Sequence, residues 1–123
     1  MKPDPLPLAA ALLFLLTAHA SGAVRYVNVN NSTPAAPYTT WSSAAKAIQT
    51  AVDAAATGDD ILVTNGVYET GGRVAYGTLT NRVSVSKRVT VRSANGPAVT
   101  VIRGSPTNGD SAVRCVNWPV APR

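Results

Sequence analysis

A chain of 123 residues with eleven lysines and arginines against six aspartates and glutamates, net charge +5, has room for one domain and a modest core. Its single histidine, His19, falls in a segment that reads as an export signal. The remainder then has no imidazole for a Ser-His-Asp or Cys-His centre or a histidine metal site, and its one cysteine closes no internal disulfide.

The first residues carry the export pattern. Lys2 supplies a positive start, the run 8–16 an apolar stretch, and Ala18-His19-Ala20 a small-x-small cleavage site, so a signal peptide is expected over 1–23 with the cut after Ala20 or Ala23. The apolar run is about half of the roughly 20 residues that span a bilayer, and no second run follows. The mature chain is therefore expected to be secreted or held at the cell surface, with no stable membrane span. Losing Lys2 and Asp4 together leaves the net charge unchanged.

Alternation over 24–30 predicts a first short strand, closed by the Asn30-Asn31-Ser32-Thr33-Pro34 turn, with a loop through Pro37. Asn31-Ser32-Thr33 also matches a glycosylation acceptor, but turn chemistry is the simpler reading. One helix is predicted, with Ser42 as N-cap and a body over 43–55 in which Ala44, Ala45, Ile48, Val52 and Ala55 recur at helical spacing. Trp41 is placed at its start and Gly58 at its stop. Its small-residue stripe suits a lid over a flat surface.

From Gly58 onward short valine-rich strands recur without helices between them. Asn65-Gly66 reads as a corner between two strands, with a two-residue hairpin as the second choice. Residues 69–81 read as a polar surface loop. Strands follow over 83–85, 89–92, 99–102 and 113–116, punctuated by Asn95-Gly96-Pro97 and Asn108-Gly109. The two-residue period places Val89 and Val91 inward with Thr90 and Arg92 outward, and Val113 and Cys115 inward with Arg114 outward. Cys115 is accordingly expected to be a buried structural thiol.

Together, Tyr26-Val27-Asn28, the segment 41–52, the run 58–68, Val89-Thr90-Val91-Arg92-Ser93 and Val101-Ile102-Arg103-Gly104 resemble the N-terminal portion of bacterial right-handed parallel β-helix proteins, the pectin-lyase-like superfamily. The resemblance implies a mainly β chain. It would climb through coils of three short parallel strands under an N-terminal capping helix, with cap and first coils over 24–117. It also implies an extracellular polysaccharide as partner, and, for lyases and hydrolases of that group, a Lys or Arg base with calcium-holding acids or grouped carboxylates in later coils. Prolines over 118–123 depart from the pattern, so an irregular tail and a truncated solenoid with an aggregation-prone open end are expected there.

Little chemistry is offered for catalysis. Asp53 is helical, Asp59 and Asp60 follow a helix stop, Asp110 belongs to a turn, and Glu69 lies in the predicted loop; neighbouring Asp59 and Asp60 point apart, which does not favour calcium. No catalytic or metal residue is expected, and no cofactor. Arg92 and Arg114 are the candidate substrate-binding residues, on an exposed face that an acidic polymer such as polyuronate would meet. The wide scatter of the basic residues argues against nucleic acid. A non-catalytic scaffold is the leading reading, a carbohydrate-binding module the second, and the remnant of a lyase or hydrolase the third.

Overall fold

Strand pairing in this chain is mostly long-range: apart from one hairpin, each strand pairs in parallel with one about thirty to thirty-six residues away. The computed structural model describes residues 22–118 as a mainly β chain with three small sheets. β1 (Val24–Val27), β2 (Asp60–Val63) and β6 (Thr90–Ser93) form a parallel sheet, with Val27 in register with Val63 and Ser93 beyond it. β3 (Gly66–Tyr68) and β7 (Thr100–Ile102) form a second parallel sheet. In the third, β5 (Leu79–Ser84) pairs in parallel with β8 (Val113–Asn117) and antiparallel with β4 (Arg73–Tyr76).

The chain thus visits the first, second and third sheets and then visits all three again. Asp60 pairs with Thr90, Gly66 with Thr100 and Thr80 with Val113, so each return takes about the same length of chain. Alternation explains which residues meet inside. Val27, Ile61, Val63, Tyr68, Val83, Val85 and Val89 are buried together, while alternate residues such as Tyr26 and Leu62 turn toward the other face.

The corners hold the visits in step. Asn65-Gly66 separates β2 from β3, which lie in different sheets, so it is a bend and not a hairpin. Gly66 has φ +147°, and an added Cβ would stand 2.6 Å from Val29 Cγ1, so only glycine fits. The next corner stacks on it: Asn95 Nδ2 donates to Asn65 Oδ1 at 2.7 Å.

The helix is shorter than the periodicity predicts. α1 spans Ile48–Ala54, and Ala47, not Ser42, is its N-cap, without a side-chain cap bond. Ala44 and Ala45 are buried as expected, but in an extended segment, because β1 has an open edge to offer. The Ala45 N–H donates to Tyr26 O and Asn28 N–H donates to Ala45 O, bridging that edge. Ser42 and Ser43 instead bond Thr40 Oγ1 in a hydroxyl-linked turn. Gly58 is no helix cap either. The carbonyls of Val52 and Asp53 in the last turn of α1, and that of the capping Ala55, accept hydrogen bonds from Lys87 Nζ, a cation where the helix dipole favours one.

α1 contacts β1, β2 and β5 and buries Ile48, Ala51 and Val52 against the core. Buried Gln49 stands in for a strand: its Oε1 accepts the Ser84 N–H at 2.6 Å and its Nε2 donates to Ser84 O at 3.2 Å. That satisfies β5 where β4 no longer reaches.

The loop expected over 69–81 is replaced by β4 and the start of β5. Val74 and Thr80, read as loop residues, pair across this hairpin, whose strand β4 is exposed throughout. The segment 1–21 and the tail 119–123 lie outside the described residues, so of the expected signal and irregular tail only Gly22, Ala23 and Trp118 are described. Among the described residues no helix is long and apolar enough to cross a membrane.

Candidate functional site

The outer face of the first sheet gathers the most distinctive exposed chemistry. Because Val27 and Val63 are buried, their neighbours Tyr26 and Leu62 turn outward, and the register sets Tyr26, Leu62 and Arg92 side by side across β1, β2 and β6. Three strands at the usual spacing place Tyr26 and Arg92 roughly 10 Å apart at the backbone. Trp41, which the sequence places at the start of the helix, packs on Tyr26 instead, with ring centroids 4.5 Å apart and the planes tilted by 57°. The Arg92 guanidinium stands 3.8 Å from Asp60, and both side chains are well exposed, so the pair adds little stability. An aromatic pair beside a solvent-facing guanidinium can stack on a sugar ring and meet a carboxylate.

Arg114 does not join this face. β8 pairs with β5 so that Arg114 lies opposite buried Asn81 and Val116 opposite buried Val83, which puts Arg114 and Val116 on the core-facing side and Cys115 on the other. Both alternations in Val113-Arg114-Cys115-Val116 carry a valine, so a period of two fits either way and the strand register decides. Val116 and Arg114 are nonetheless exposed, because no described strand lies beyond β8. Cys115 is exposed too, which corrects the expectation of a buried thiol.

The five carboxylates of the described residues are each engaged. Asp53 meets Arg73 Nη2 at 3.0 Å, Glu69 meets Arg103 Nη1 at 3.1 Å, Asp60 faces Arg92, and Asp110 accepts a hydrogen bond from Thr78 Oγ1. Asp59 is the one that is buried. Its Oδ2 lies 3.0 Å from both Nε and Nη2 of Arg25 and accepts the Ala56 N–H, while Oδ1 accepts the Ala23 N–H at 2.9 Å. Burial of the carboxyl opposes ionisation. The bonds from Ala56, Arg25 and Ala23 and the Arg25 charge outweigh it and hold the pKa below the ordinary 3.8. Every strong donor near Asp59 is already spoken for, which suits a structural clasp. Among the described residues no group of three or more Asp, Glu, His or Cys side chains is placed to hold a metal ion.

Asn31 is committed as well: its Nδ2 donates to Ser42 O and Ala44 O and its Oδ1 accepts the Thr33 N–H, which is turn chemistry. An apolar groove of about 210 Å³ opens between the sheets, lined by Ile48, Val63, Val91, Thr100 and Ile102 among others. Thr100 Oγ1 is buried without a partner. The groove carries no carboxylate or thiol.

Sequence reasoning found Arg92 but missed Tyr26 and Trp41 beside it. Aligning the three strands on their core-facing residues Val27, Val63 and Ser93 would have set Tyr26, Leu62 and Arg92 in one row. The Arg25 and Asp59 clasp left no signal, since the two lie 34 positions apart. No family model, curated protein or solved structure matches this chain.

Proposed function

We propose that the chain is the capped start of a secreted right-handed parallel β-helix and serves as a non-catalytic scaffold. The observation that carries this reading is the repeated visit to three sheets in parallel register, with α1 seated against β1, β2 and β5. A right-handed path is the expected hand for parallel crossovers. The engagement of each described carboxylate with a cation, hydroxyl or backbone donor supports a role without acid or base chemistry. Purified protein incubated with polygalacturonate or neutral polysaccharides, with and without calcium, is expected to release neither unsaturated products nor new reducing ends. Robust turnover abolished by one Asp or Arg substitution would overturn the scaffold reading.

A second reading, binding of an acidic polysaccharide, is favoured by the row of Tyr26, Leu62 and Arg92 with Trp41 against it. Arg92→Ala and Trp41→Ala are each expected to weaken retention on immobilised polyuronate severalfold, with a salt dependence that shrinks in Arg92→Ala. Arg114→Ala, on the other side of a different sheet, should leave retention unchanged. Equal loss in all three variants would point to diffuse charge attraction instead of this face.

A further inference from the structure

We infer that export processing cuts the chain between Ala20 and Ser21, so that the mature chain keeps Gly22 and Ala23, which contact the folded domain. The inference rests on reading the first residues as an export signal. Both candidate cuts satisfy the small-x-small requirement, through Ala18 and Ala20 in one case and Ser21 and Ala23 in the other. Sequence alone does not separate them.

The structure separates them by what each product keeps. The Ala23 N–H is one of the donors that satisfy buried Asp59, and Ala23 O accepts the Asp60 N–H at 3.0 Å, the bond that opens β2. Gly22 lies so close to the turn before β2 that an added Cβ would stand 1.8 Å from Gly58 O and 2.6 Å from Asp59 N. Such a backbone-on-backbone approach is open to glycine alone. A cut after Ala23 discards all three contacts. It leaves Asp59 Oδ1 and the Asp60 N–H without these partners and puts a new α-ammonium on Val24, one residue from the lost donor. In the fold Val24 and Arg25 pair with Asp60 and Ile61, and Arg25 is bound to Asp59, so Ala23 is the residue that leads directly into the first paired strand. The bond between Ala20 and Ser21 precedes every one of these contacts.

The test is the N-terminus of the exported product, read by intact mass and N-terminal sequencing after expression of the full chain in a host with a working export pathway. A product beginning at Ser21 is expected. One beginning at Val24, or at any other residue after Met1, overturns the inference while leaving export intact. A product that keeps Met1 and stays inside the cell refutes the export reading itself, and the processing site with it. A second measurement compares purified forms beginning at Ser21 and at Val24. The longer form is expected to melt at least about 4 °C higher, the shift that a difference near one kcal/mol produces in a domain of this size. In the longer form, Gly22→Val should remove most of that gain. Identical melting of the two forms would show that Gly22 and Ala23 do not belong to the domain.

Discussion

Asp59→Ala is expected to lower the unfolding free energy by about 3 kcal/mol or more, because it strands the guanidinium of Arg25 in a site where the two side chains are only 13 % and 5 % exposed. The Ala23 and Ala56 N–H groups lose their acceptor in the same substitution. Urea unfolding at neutral pH measures the loss, and a change under about 0.5 kcal/mol, ordinary for a surface site, would show that the clasp does not bear on stability. The wild type should also respond to acid in a defined way. The folded-state pKa of Asp59 lies below its ordinary 3.8, so the contribution is fully present above that value and is lost as pH falls through the lower folded-state value. Asp59→Asn should flatten that part of the stability curve.

Tyr68→Ala should cost about 3 to 5 kcal/mol, the usual range for deleting a large aromatic from a core. Tyr68 is the largest of the fully buried side chains, and its hydroxyl donates to Thr64 O at 2.8 Å. Tyr68→Phe keeps the ring and gives up the hydroxyl bond, so a loss near 1 kcal/mol is expected. Thermal or denaturant unfolding of the pair separates packing from hydrogen bonding, and equal losses would assign the whole effect to the hydroxyl. Burial pushes the Tyr68 phenol above its usual 10.0. With a raised folded-state pKa its contribution holds below 10.0 and is lost as pH climbs through the higher folded-state value. Tyr68→Phe should lack that alkaline loss.

The strands were legible wherever valines alternate with polar residues and a glycine corner follows, as at Val89, Val91 and Gly96, because burial of one face writes itself directly into a period of two. Helical spacing misled over 42–47: alanine is small enough to be buried in either conformation, and the open edge of β1 drew Ala45 into a bridge that propensity does not report. The hairpin through Arg73 and Asn81 was hidden for the opposite reason. Its strand β4 is exposed throughout and so carries no alternation to read. For the candidate site, Arg92 could be placed outward from its flanking valines, whereas Arg114 could not, since the face of β8 depends on its partner 33 positions earlier. The aromatic half of the row lies on another strand and a loop, and only pairing brings it to Arg92.

The repeated visits to the same three sheets give the chain levels that stack in sequence order. β6 pairs with β2, β7 with β3 and β8 with β5, and in each pair the earlier strand precedes its partner in the chain, so a chain delivered N-terminus first would present the earlier level before the later one. A polypeptide threaded through a membrane N-terminus first would deliver β1, α1 and the Asp59 clasp before any strand that needs them. The growing structure would then advance in one direction, each emerging segment meeting the open edge of the level before it.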